Sequence, residues 1–139
     1  MMTREQRYAA HSYQQVAAWG QEHPKGSKKR SQYGALAHKL PVLVRTAGLV
    51  QALAFVDARG EEAHHQLLAH LAATISEGRA TPLTAKDLVA RSREAPLPEY
   101  MRLSQQVMAA LLWYKRFAQS VLEVVQGEEP TEAEKGASQ

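Results

Sequence analysis

Three histidines, His64, His65 and His70, stand within seven positions, with Glu61 just ahead of them. Imidazole and carboxylate are the side chains that hold divalent metals or move protons near neutral pH. Their spacing argues against a shared ion. On a helix His65 projects about 100° from His64, and His70 about 120° the other way, so convergence would need ligands from elsewhere. The chain has no HExxH pair, P-loop, GxGxxG or Gly-x-Ser-x-Gly. Its only aspartates, Asp57 and Asp87, fall at a turn and a helix start. The expectation is therefore no metal, no cofactor, no catalytic residue and no small-molecule substrate. His64 is expected at the edge of a core, and His65 and His70 in solvent. The chain contains no cysteine, which excludes disulfides, zinc–thiolate sites and cysteine nucleophiles.

The cations suggest different chemistry. Lys25, Lys28, Lys29 and Arg30 fall within six residues at a loop–helix junction, and Lys39 and Arg45 continue along the same segment. Cations at a helix N-terminus can hold phosphate oxygens, and the helix dipole adds to them. The 139 residues sum to +3, but positions 128–139 hold four glutamates and one lysine. Residues 1–127 keep 16 bases against 10 acids, a net +6. That balance favours a polyanionic partner. No aromatic platform or base-reading motif is legible in the sequence, so recognition is expected through phosphates and not through bases.

The elements that must position these groups are helical. Thr3 and Gln6 read as a capping box, opening a helix to about Glu22 with Tyr8, Val16 and Trp19 on one side and Tyr13 beside them. Arg4, Arg7 and His11 form a ridge on the other side. Ser27 caps a helix over about 28–45, with a kink expected near Pro41. Gly48–Val56 reads as a short buried helix and Asp57–Gly60 as a turn. Glu61–Glu77 is a helix with Leu67, Leu68, Leu71 and Ile75 inward, and Thr84 with Asp87 opens a short helix to about Arg93. Pro98 suits the first turn of a last helix running to about Gln126. Its inner face is Leu103, Val107, Ala110, Tyr114, Phe117, Val121 and Val125. Met101, Met108 and Leu112 lie on the reverse face and need covering by another helix or another subunit. The fold class expected is all-α, a compact bundle of five to six helices with one long C-terminal helix. One helical domain over 1–127 and an acidic, disordered tail over 128–139 complete the expectation. The longest apolar run, Gly48–Val56, is far short of the ~20 residues of a membrane span. With no secretory signal read at the N-terminus, the expected location is cytoplasmic.

Three segments together resemble a known family: Lys39-Leu40-Pro41, then Gly48-Leu49-Val50-Gln51-Ala52-Leu53-Ala54-Phe55, then Trp113-Tyr114-Lys115-Arg116-Phe117-Ala118. They are similar to the small helical subunit of type III-B CRISPR (Cmr-module) RNA-targeting complexes, over about residues 3–126. Ala47 departs from the pattern, which has a polar residue before the Gly-Leu pair. The resemblance implies a non-catalytic subunit acting in antiviral defence. Copies of it would stack along the guide–target axis, beside other subunits of the effector complex, and contact the target RNA backbone. Cleavage would belong to those other subunits. By the matching segments, Lys39, Lys115 and Arg116 would face RNA or a subunit. The rival expectation is a helical protein–protein adaptor that binds no nucleic acid.

Overall fold

The computed structural model describes residues 1–126, and these contain six α-helices and no strand. They are α1 (Arg4–Glu22), α2 (Lys28–Ala47), α3 (Leu49–Arg59), α4 (Glu62–Ile75), α5 (Ala85–Glu94) and α6 (Leu97–Ser120). Both capping boxes form. The Gln6 N–H donates to Thr3 Oγ1 at 3.1 Å while the Thr3 N–H donates to Gln6 Oε1 at 2.8 Å. Thr84 and Asp87 reciprocate in the same way, both at 3.1 Å. Each box satisfies donors that a bare helix start leaves orphaned. Ser27 occupies the N-cap of α2, but its hydroxyl makes no capping bond.

The helix α2 runs from Lys28 to Ala47 through a buried Pro41, so the missing N–H removes one bond without ending the element. Gly48, at φ 90°, closes α2 and opens α3, which makes the corner between them tight. The turn expected at Asp57–Gly60 is instead the last turn of α3, capped by Gly60 in the left-handed region. One core joins all six helices. Val16 and Trp19 of α1, Tyr33 and Leu40 of α2, Leu53 of α3, Leu67 and Leu71 of α4, Leu88 of α5, and Val107, Leu111 and Tyr114 of α6 are its buried members. The long α6 packs on α1 and α2, and α4 packs on α2 while also touching α1 and α6.

The end of α6 differs from the expectation. The helix stops at Ser120, not near Gln126, and residues 121–124 hook back over α2. The Val121 and Leu122 N–H groups both donate to the Phe117 carbonyl, and the Val124 N–H donates to that of Ala118. Glu123 takes φ 60°, the left-handed region, where a side chain is strained by about 1–2 kcal/mol. The hook offsets that strain by burying Leu122 and Val124. Val124 fits because α2 carries glycine at 34. A Cβ there would sit 2.5–2.7 Å from three Val124 side-chain carbons. Val125, expected in the core, is exposed, because the helical phase is lost past residue 120. The acidic tail expected over 128–139 lies outside the described residues.

Candidate polyanion and subunit surfaces

The histidines are dispersed by the fold. His64 is buried on α4, and Glu61 Oε2 lies 3.3 Å from its Nδ1. Burial depresses its pKa, and Glu61 opposes that shift. His65 is exposed, as expected. His70 corrects the expectation: it is buried, not solvated. Its Nδ1 meets the Tyr33 hydroxyl at 2.7 Å, and its Nε2 meets Gln66 Nε2 at 2.9 Å. A neutral ring can donate to Tyr33 and accept from Gln66, whereas an imidazolium would set N–H against N–H at Gln66. Burial, with His11 adding to it, lowers the His70 pKa to about 4. His11, expected on the outer ridge, instead reaches Thr74 Oγ1 with its Nδ1 at 2.7 Å. Thr74 in turn meets the Tyr114 hydroxyl at 2.6 Å, and Tyr114 donates to the His70 carbonyl at 3.0 Å. These imidazoles and hydroxyls tie α1, α2, α4 and α6 together. Among the described residues, no three His, Asp or Glu side chains cluster closely enough to hold a metal ion.

The cations divide into two groups. Arg30 is occupied internally: it donates to the carbonyls of Leu122, Gly20, His23 and Val121 at 3.0–3.3 Å. Its guanidinium fastens the hook after α6 to the C-terminal end of α1, so the fold gives it a structural role. Lys25 pairs with Glu123, and Lys29 with Glu62. The lysines hold both carboxyls below the usual range. Lys28 and Lys115 are half-buried and Arg45 is exposed, and none of the three is ion-paired with a described residue. Lys39 is exposed, its ammonium 5.4 Å from the Phe55 ring, with Arg59 5.5 Å from the same ring. Arg116 is exposed and lies 5.8 Å from the Trp113 ring.

The reverse face of α6 is open at its ends. Met101 and Leu112 are about half exposed, while Met108 between them packs partly on the core. Leu97, which the sequence reading passed over, extends the stripe and is 69% exposed. Beside it runs an aromatic seam. Tyr13 of α1 meets Phe117 edge-on at 5.4 Å, and Phe117 stacks on Trp113 at 5.8 Å. The pattern of α1 alone puts Tyr13 beside the core. Its exposed position follows from how α1 crosses α6, which no single-helix pattern contains.

Comparisons with known proteins converge. The family model "CRISPR-associated protein (Cas_Cmr5)" matches residues 4–121. The "CRISPR system Cmr subunit Cmr5" of Thermus thermophilus is 46% identical over 123 residues, which is 88% of this chain and 99% of that protein. The crystal structure of a CRISPR-associated Cmr5 family protein from the same organism superposes with a TM-score of 0.76 at 43% identity. It covers 87% of this chain and 98% of the other.

Proposed function

Because this chain belongs to the CRISPR-associated Cmr5 family and is a Cmr (type III-B) subunit, we propose that it is a non-catalytic part of the effector ribonucleoprotein that contacts target RNA. It acts in the cytoplasm, stacking with copies of itself along the guide–target axis beside the other subunits. The observation that carries the reading is the family match over residues 4–121, which takes in every cation proposed here. Among the described residues, no helix is long and apolar enough to cross a membrane. Lys28, Arg45 and Lys115 supply the uncompensated charge for phosphates, with Lys39 and Arg116 beside them. Lys25 and Lys29 join when RNA displaces their exposed glutamate partners, because such surface pairs are worth only about 0–1 kcal/mol. The stripe from Met101 through Met108 to Leu112 faces a neighbouring subunit.

Affinity purification of the tagged protein from its native cells, with sizing and sequencing of co-purified RNA, tests the assignment. The expected result is a large particle carrying guides with a shared 5′ repeat tag. A particle free of RNA would replace this reading with that of a protein-only adaptor.

A further inference from the structure

Between the first turns of α1 and the C-terminal half of α6 lies a groove of about 410 Å³. Arg4, Glu5 and Tyr8 line it from α1, and Leu112, Trp113 and Arg116 from α6. That volume is in the range of small-ligand sites. Each of its two aromatic rings has a guanidinium over it: Arg4 lies 5.6 Å from the Tyr8 ring centroid, and Arg116 5.8 Å from that of Trp113. Phe117 stacks behind Trp113 and fixes that ring in place.

We propose that this groove is a base-stacking site for unpaired RNA, in which the partly exposed Trp113 stacks a nucleobase and Arg4 and Arg116 hold its flanking phosphates, while the buried Tyr8 lines the groove. The proposal rests on the RNA reading above and changes its chemistry, since recognition there was through phosphates alone. Aromatic faces combined with cations are what sequence-tolerant single-strand sites are made of. Glu5 can accept from the exocyclic amino group of a base. An apolar protein segment is a poorer occupant, because it would desolvate two guanidiniums with Glu5 as the one lining carboxylate. Leu112 borders both this groove and the subunit stripe, and Leu97, Met101 and Met108 of that stripe lie outside the groove lining.

Tryptophan emission reads the site, because the chain has two tryptophans and Trp19 is buried in the core. The full-length protein is titrated at low salt with a twelve-nucleotide oligoadenylate and with an abasic ribose–phosphate chain of the same length. The expected result is saturable quenching by oligoadenylate and about tenfold weaker binding of the abasic chain. Trp113→Leu removes the quenching, and Arg116→Ala, which alters only an exposed side chain, weakens oligoadenylate binding without changing the circular dichroism. Equal affinity for both chains with unchanged emission would overturn the stacking site and leave the backbone reading intact. Quenching that survives Lys28→Ala/Arg45→Ala/Lys115→Ala without loss of affinity supports the stacking site and removes those three cations from the RNA face. Absence of both binding and quenching overturns the two together. An emission shift that grows with protein concentration in the absence of RNA would assign the groove to a second copy of the chain and overturn the proposal.

Discussion

At the scale of single residues, the buried His70 makes stability depend on pH in a definite direction. Its folded pKa of about 4 lies below the ordinary value of 6.5. Between those values the unfolded chain binds more protons, so stability rises with pH across the interval. The contribution is fully present above about pH 6.5 and is lost as pH falls toward 4, amounting to about 3 kcal/mol. Urea denaturation at pH 7 and pH 4.5 should show most of that loss in the native chain. The His70→Gln variant should be less stable at pH 7 and flatter across the interval. An identical pH slope in both would show that His70 is not the titrating group. The Asp87, Glu62 and Glu123 carboxyls, all held low, add losses as pH falls through their ordinary values of 3.8 and 4.5, at the acid end of that interval and below it.

At the scale of elements, the hook after α6 depends on two positions in α2. Gly34→Ala gains about 1 kcal/mol of helix propensity. It also drives a methyl into Val124, and overpacking of that kind costs about 1–3 kcal/mol. The expected net is a destabilisation measurable by urea titration. Val124→Gly should relieve it in the double variant and Val124→Ala should not, because the Val124 Cβ is itself 2.5 Å from the added carbon. Arg30→Ala should cost about 2 kcal/mol or more, since it strips charged donors from four carbonyls. Arg30→Lys should do little better, because an ammonium cannot reproduce the planar fork. If Arg30→Ala left stability unchanged while weakening RNA binding, Arg30 would return to the phosphate-facing set.

At the scale of the whole molecule, the proposed phosphate contacts predict a salt dependence. Each of Lys28→Ala, Arg45→Ala and Lys115→Ala should lower the slope of log affinity against log salt by about 0.7 on single strands, whatever the RNA sequence. An unchanged slope would remove that residue from the RNA face. The Met101→Asp variant should fold normally and fail to enter the particle, as light scattering would show. Met101 is half exposed in the single chain, so the charge harms only a surface that something else must cover.

Much of this was legible in the sequence because it is local. The capping boxes at Thr3 and Thr84 and the apolar periodicities of α4 and α6 are each contained within one turn or one helix. They suffice for an all-α chain with a long last helix, and three short segments carry the family resemblance. Partners from distant parts of the chain had to be decided by the tertiary structure. Arg30 looked like a free cation until residues 121 and 122 brought their carbonyls to it. His70 looked solvated until Tyr33 of α2 closed over it. Glu123 carries no glycine signal for a left-handed turn, so the end of α6 followed from packing on Gly34. Tyr8 and Trp113, 105 positions apart in the chain, line one groove only because α1 packs against α6. Helix and cap formation depend on neighbours a few residues away, which a sequence displays. The internal engagement of a cation, the burial of an imidazole and the meeting of two rings in one groove lining depend on which helix faces come together, and that is set only when the core packs.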